Sequence, residues 1–140
     1  MASNVTVKDI MQKDVKVVNN NTTMQEVVAT MNKFDKDAIL VVQSGIPTGI
    51  ITVKDVLIRA VEANVPLKTV IARMVYTNPL VTIGEEATVE EAAKLMKHWQ
   101  IKHLPIVDKN GALVGMVNDR DIVYAVPSLM STMEEFCRTK

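Results

Sequence analysis

The sequence predicts an α/β (α+β) fold made of two tandem β-α-β-β-α repeats related by pseudo-two-fold symmetry. Three observations lead to this prediction: a long internal repetition, an amphipathic helical pattern in each half, and a hairpin turn at the matching place in each half. The chain has 140 residues, enough for a buried core. Because 48% of the residues are hydrophobic and only 4% are aromatic, we expect that core to be aliphatic.

The internal repetition covers most of the chain. The offset between matching positions grows from 63 residues, between Thr6 and Thr69, to 66 residues, between Gly49 and Gly115. Order, spacing and residue type are preserved together, which chance would not produce over so long a stretch. The matching segments are Thr6–Met11 with Thr69–Met74, Thr22–Met31 with Ala87–Met96, and Gly45–Val56 with Gly111–Ile122.

Each repeat is predicted to begin with a leading segment, a brief strand and an amphipathic helix. Apolar residues spaced three and four apart predict the helices, and Thr23 with Glu26, like Thr88 with Glu91, predicts a capping box at each helix start. The leading segments end in Met11 and Met74, the brief strands lie within Val15–Val18 and Leu80–Ile83, and the apolar helical residues are Met24, Val27, Val28 and Met31 in one repeat and Val89, Ala92, Ala93 and Met96 in the other.

A β-hairpin and a final helix are predicted to complete each repeat. The turns Gln43–Gly45 and Asp108–Gly111 have hairpin chemistry. The division that follows is repeat 1 at residues 1–65, repeat 2 at residues 66–127 and a helical tail at residues 128–140. The hairpin strands are Ile39–Val42, Gly49–Thr52, Leu104–Val107 and Gly115–Asn118, the final helices begin near Lys54 and Arg120, and the tail places Leu129, Met133 and Phe136 on one side.

Composition argues against several classes of protein. The 16 basic and 16 acidic residues cancel, so no basic stripe points to nucleic acid. No apolar run approaches the roughly 18 to 20 residues of a membrane helix, and the start has no signal-peptide core. The single Cys137 forms no internal disulfide and fits a reducing compartment. We therefore expect a cytoplasmic protein without nucleic-acid or membrane partners.

Residues suited to catalysis are scarce. One Cys and two His leave little for nucleophilic or metal chemistry, and the sequence has neither a Gly-x-Ser-x-Gly motif nor a P-loop. We expect no enzymatic activity, no metal site and no obligatory cofactor.

The repeat plan resembles the tandem cystathionine-β-synthase (CBS) domain pair, or Bateman module, from about Thr6 to Val126. The segments that carry the resemblance are Gly49–Asp55 and Gly115–Asp121, supported by His103–Asp108. In that family a glycine, two apolar residues and Thr/Ser-x-x-Asp mark a ligand cleft between the repeats, and typical ligands are AMP, ADP, ATP and sometimes S-adenosylmethionine. The resemblance implies a stand-alone regulatory module that binds an adenine nucleotide and signals energy or metabolite state to a partner.

Thr52, Lys54 and Asp55 form the first candidate ligand site. At a junction of strand and helix, backbone N–H groups attract phosphate. The Thr hydroxyl can donate to a phosphate or sugar oxygen, the Asp carboxylate can accept from the ribose 2′- and 3′-hydroxyls, and Lys54 adds a positive charge. The same Thr-x-x-Asp spacing is also an ordinary helix cap, and the sequence leaves both interpretations open.

Asn118, Arg120 and Asp121 form the matching site in the second repeat. Asn118 departs from the Thr/Ser of the family, and Asp119 adds a negative charge beside the expected phosphate, so capping and binding remain equally open here. The resemblance adds Lys102 and His103, since basic residues at this place contact nucleotide phosphate in the γ subunit of AMP-activated protein kinase. A solvated strand end is the alternative for both.

The two sites are expected to differ. The resemblance implies that Asp55 pairs with Lys102, His103 and Arg120 in the stronger phosphate site. Asp121 would then face Asp37 and Lys54 and take a less charged ligand or none. We expect Pro105 to end strand pairing and leave room beside the adenine. Gly49 and Gly115 would permit close approach to the backbone, and the alternative is an ordinary glycine at the start of a hairpin strand.

The final helices are apolar on more than one side, at Val56–Val61 and Ile122–Val126. This pattern predicts a homodimer that associates through these helices, unless the interface within the chain consumes both faces. The second hypothesis for function is a ligand-free dimerising scaffold for protein–protein interaction.

Overall fold

A computed structural model describes residues 5–76, 80–131 and 133–134. The predicted tail residue Phe136 and the thiol Cys137 lie outside these ranges. The helices and strands, in chain order, are α1 (Val7–Ile10), β1 (Val17–Val18), α2 (Met24–Phe34), β2 (Ala38–Gln43), β3 (Ile46–Thr52), α3 (Val53–Val56) with a π-helical continuation (Leu57–Glu62), a 3-10 turn (Ala72–Met74), β4 (Ile83–Gly84), α4 (Val89–Trp99), β5 (His103–Val107), β6 (Leu113–Asn118), α5 (Asp119–Ala125) and a second 3-10 turn (Pro127–Leu129).

Two three-stranded sheets confirm the predicted order of elements. The strands are arranged β1-β2-β3 and β4-β5-β6, with the first pair of each sheet parallel and the second antiparallel. Ser44 and Gly45, at φ 53° and 80°, form a two-residue hairpin turn in which both residues are left-handed. In the second hairpin, the Asp108 carboxylate accepts hydrogen bonds from the N–H groups of Asn110 and Ala112.

The contacts divide the chain into two units that differ from the contiguous division at residues 65 and 127. Val15–Leu80 forms one unit, called here the middle unit. The described residues before Val15 and from Val81 onwards form the other, called here the split unit. Each unit has its own core, and the buried hydrophobic side chains of the described residues are all Val, Ile, Leu, Met or Ala, as expected.

Each repeat is completed by the leading segment of the other repeat. In the split unit the Val7 N–H donates to the Ala87 carbonyl at 2.8 Å. In the middle unit the Ala72 N–H donates to the Thr22 carbonyl at 2.8 Å, so both leading segments lie against the start of a long helix. This exchange explains why the unit boundaries fall inside the repeats.

The exchange also corrects the alignment of the leading segments. Thr6 bridges to Thr88, and Ile71 bridges to Thr23. Thr6 therefore matches Ile71, an offset of 65 residues (71 minus 6), and the predicted match of Thr6 with Thr69 was wrong. Main-chain pairing with the helix start sets this register. The Met24 N–H donates to the Val70 carbonyl as the Val89 N–H donates to the Val5 carbonyl, so Val70 matches Val5 rather than Val7.

The long helices begin at the predicted residues, but the capping boxes predicted at Thr23 with Glu26 and at Thr88 with Glu91 are both incomplete. The Thr23 and Thr88 hydroxyls accept from the N–H groups of Glu26 and Glu91 at 3.3 and 3.1 Å. The Glu91 carboxylate meets the Thr88 hydroxyl at 3.3 Å rather than the backbone N–H of a capping box. Complete capping boxes occur instead at the starts of α1, α3 and α5.

The described part of the tail packs on the split unit. Met133 is 2% exposed and belongs to its core, and Leu129 packs against the same cluster. Within the described residues, no helix combines the length and apolarity needed to cross a membrane.

Candidate functional site

The first candidate site lies in the middle unit, where β3 ends and α3 begins. The Thr52 N–H and hydroxyl donate to Asp55 Oδ2 at 2.8 and 3.0 Å, and the Asp55 N–H donates back to Thr52 Oγ1 at 3.2 Å. The Asp55 side chain is only 13% exposed. The helix-cap interpretation of Thr-x-x-Asp is therefore correct for this junction of strand and helix, called here a corner.

Arg59 contributes to this corner, although the sequence analysis did not single it out. Its Nε lies 3.8 Å from Asp55 Oδ1. Its Nη1 donates to the carbonyls of Val75 and Tyr76 at 3.2 and 3.0 Å. Arg59 thus connects the corner carboxylate with the leading segment that completes the middle unit. The i,i+4 spacing of Asp55 and Arg59 is the sequence signal that could have found it.

The second candidate site, in the split unit, has the same construction at the end of β6. The Asn118 N–H donates to Asp121 Oδ2 at 2.9 Å, and the Asp121 N–H donates to Asn118 Oδ1 at 2.8 Å. Asn118 therefore performs the capping role of the family's Thr or Ser. Asp121 also accepts from Gln12 Nε2, at 3.3 Å to Oδ1 and 3.1 Å to Oδ2. The sequence analysis missed Gln12, which lies 109 positions away.

The split unit brings the predicted basic residues to this same corner. The Asp119 N–H donates to the Lys102 carbonyl at 3.1 Å, and His103 is the register partner of Asn118. Arg120 is the second residue of α5 and is exposed, as is Lys102, whereas His103 is half-buried. The corner therefore combines the cap residues with three basic residues of the predicted clamp.

The middle unit has an acidic and an apolar residue at the matching place. The Val53 N–H donates to the Asp37 carbonyl at 3.1 Å, and Ala38 is the register partner of Thr52. Lys54 is exposed in the first turn after the corner. The two corners thus share main-chain geometry and differ in charge.

Pro105 does not end strand pairing, so that expectation was wrong. It lies inside β5, is buried and has Met116 as its register partner. A proline fits here because the parallel pairing of β5 with β4 starts only at Ile106.

The two hairpin glycines are closely approached by side chains of distant residues in the sequence. A Cβ atom at Gly49 would overlap the ring of Tyr76. A Cβ atom at Gly115 would overlap the Met11 side chain and lie 3.0 Å from the Gln12 carbonyl oxygen.

The final helix of the middle unit exposes an apolar face. Leu57, Ile58 and Val61 are 53%, 49% and 60% exposed. Such exposure is high for large aliphatic side chains and is typical of an association surface.

Comparison with known proteins matches residues 7–62 and 71–128 to the CBS domain. The CBS domain-containing protein YhcV of Bacillus subtilis is 36% identical over 111 residues, which cover 79% of this chain and 78% of that protein. A CBS-domain protein of unknown function from Thermoplasma acidophilum has a TM-score of 0.86 at 24% identity, over 97% of this chain and 78% of that chain. The cytosolic domain of the Mg²⁺ channel MgtE, solved in complex with ATP, has a TM-score of 0.75 at 21% identity, over 89% of this chain and 50% of that chain.

Proposed function

Because this chain belongs to the CBS-domain family and carries two such domains in tandem, we propose that it is a non-catalytic regulatory module that binds an adenine nucleotide. Tandem CBS domains generally serve as regulatory modules that bind adenosine ligands. The ligand class is AMP, ADP, ATP or S-adenosylmethionine, and the output is a signal of energy or metabolite state to a partner protein in the cytoplasm.

The observation that carries the proposal is the matched pair of corners. Each corner presents a carboxylate, Asp55 or Asp121, in a capping box that begins the final helix. Carboxylates suit the vicinal hydroxyls of ribose, and cationic side chains suit phosphate. The predicted clamp residues Lys102, His103 and Arg120 lie at the Asp121 corner, whereas Lys54 and Arg59 are the basic residues at the Asp55 corner.

The charge difference supports unequal sites. We expect the clamp of Lys102, His103 and Arg120 to serve the phosphates of the ligand whose ribose binds Asp55. The Asp121 site would then be completed by Asp37 and Lys54, so it would bind a less charged ligand or remain empty. This pairing, with the ligand between the repeats, stays a prediction.

Ligand-dependent melting and calorimetry test the proposal. AMP, ATP and S-adenosylmethionine are titrated separately, and adenosine serves as the control that lacks phosphate. A ligand at about 100 times its Kd raises the free energy of unfolding by about 2.7 kcal/mol. If none of the three raises the melting temperature or releases heat, the proposal is wrong.

The exposed helix face supports homodimerisation and is the observation that favours a second function, a ligand-free dimerising scaffold. Sedimentation should show a dimer for the wild type and a monomer for Ile58→Lys. Phe34→Lys, which charges a 42% exposed apolar residue on α2, is the matched control and should remain dimeric. A dimer that no nucleotide stabilises would favour the scaffold, whereas a wild type that sediments as a monomer would contradict the dimer.

A further inference from the structure

In the split unit, the proposed function assigns ribose binding to the Asp121 carboxylate. A side-chain amide of the protein already contacts this carboxylate. Gln12 Nε2 is within hydrogen-bonding distance of both oxygens of Asp121, at 3.3 and 3.1 Å. Oδ2 also accepts the Asn118 N–H at 2.9 Å. Because a carboxylate offers about four acceptor positions, the amide takes up positions that a ribose diol would need.

The main chain holds Gln12 in this place. Its N–H donates to the Met116 carbonyl at 2.9 Å, and the Met116 N–H donates to the Gln12 carbonyl at 3.0 Å. Gly115 makes this pairing possible, since a Cβ atom there would overlap the Met11 side chain. The Gln12 main chain is therefore held beside β6 by backbone pairing, independently of the contact of its amide with Asp121.

The middle unit engages its corner carboxylate in a different way. Asp55 faces the guanidinium of Arg59, which also binds the leading segment through the Val75 carbonyl. The position that matches Arg59 is Ala125, which has no polar side chain. In the split unit the leading segment itself supplies the donor, and that donor is neutral. Gln12 thus covers the acceptor positions of Asp121 without compensating its charge.

We propose that Gln12 is a built-in competitor of the ligand at the Asp121 corner. This inference rests on the proposed function and explains why the two sites should differ in affinity. A ribose diol binds Asp121 only after displacing the Gln12 amide, while the Gln12 main chain stays paired with Met116. The exchange raises the Kd of this corner, so Gln12 adds to the difference in affinity that the charges produce between the two sites.

Calorimetry with AMP tests the competition. Gln12→Ala should lower the Kd for AMP at the weaker site by about two- to tenfold. This change corresponds to the free energy of one competing hydrogen bond. The gain should vanish when Asp121→Asn is added. Gln25→Ala, at an exposed glutamine on α2, is the matched control and should leave AMP affinity unchanged. Unchanged or weaker binding in Gln12→Ala, or a gain that persists with Asp121→Asn, would overturn the proposal.

A measurement without nucleotide separates this proposal from the proposed function. The NMR resonance of the Gln12 side-chain amide should shift in Asp121→Asn, and if it does not, the competitor is ruled out whether or not AMP binds. AMP binding that Gln12→Ala leaves unchanged would remove only the competitor. Absence of binding of AMP, ATP and S-adenosylmethionine alike, in the wild type and in Gln12→Ala, would remove the proposed function together with it.

Discussion

Replacing Asp55 by Asn should weaken AMP binding far more than the same change at Asp121. Asn is the informative substitution, because it keeps one acceptor oxygen for the Thr52 N–H, which Asp55 now binds at 2.8 Å. Asp55→Ala would also remove the helix cap, at about 0.5 to 2 kcal/mol. A ribose hydroxyl bonded to a carboxylate contributes about 1.5 to 3 kcal/mol, so losing one such bond should raise the Kd about ten- to a hundredfold.

The effect at Asp121 should stay below about threefold, because the proposed competition from the Gln12 amide offsets most of what a ribose hydroxyl would gain there. Calorimetry, at a temperature where every variant is fully folded, measures the Kd for AMP of Asp55→Asn and of Asp121→Asn. Asp9→Asn is the control for loss of a capping carboxylate, because Asp9 accepts from the Thr6 N–H and hydroxyl at 3.0 and 3.1 Å at the start of α1. An equal loss at Asp55 and Asp121, or a larger one at Asp121, would refute the assignment of the stronger site to Asp55.

Two further predictions concern stability and acid titration. Gly49→Ala should lower the free energy of unfolding by about 1 to 3 kcal/mol, because its Cβ would overlap the Tyr76 ring. Gly84→Ala, where the space is open, is the control and should change this free energy by less than about 0.5 kcal/mol. Chemical denaturation measures both variants, and equal effects would contradict the packing of Tyr76 against Gly49. The Thr6 N–H and hydroxyl hold the pKa of Asp9 below its ordinary value. The Asp9 charge therefore stabilises α1 at pH values above the pKa that Asp9 has in the unfolded chain, and this stabilisation is lost as the pH falls through the pKa that it has in the folded protein. An NMR titration should place the midpoint of Asp9 at a lower pH in the wild type than in Thr6→Val. Equal midpoints would show that the Thr6 hydroxyl does not lower the pKa of Asp9.

Local patterns in the sequence were sufficient to predict most elements. Ser44 and Gly45 lie in a hairpin turn because their left-handed conformations suit the twist of the flanking strands. The helices α2 and α4 have the predicted apolar faces, with Met24 and Val89 fully buried. Both features depend on residues a few positions apart, where spacing alone determines which side chains share a face.

The contacts that complete the corners could not be predicted in the same way. Gln12 reaches Asp121 only because main-chain pairing with Met116 brings a distant segment beside β6. The register of the leading segments likewise follows from hydrogen bonds at the helix starts rather than from the Thr-Val similarity. Pro105 shows the same limit, because its tolerance depends on where the parallel neighbour strand begins. Such long-range pairing leaves no periodic trace in the sequence.

The exchange of leading segments has a consequence for synthesis on the ribosome. Every residue of Val15–Leu80 is available once Leu80 has emerged, so this part of the chain should acquire its structure while translation continues. The stretch that ends at Asp14 must instead wait for its partners, since Met116 and Asp121 are made about a hundred residues later. On a ribosome stalled after Leu80 has emerged and before Met116 is made, Val15–Leu80 should therefore resist protease. The stretch that ends at Asp14 should still be cleaved.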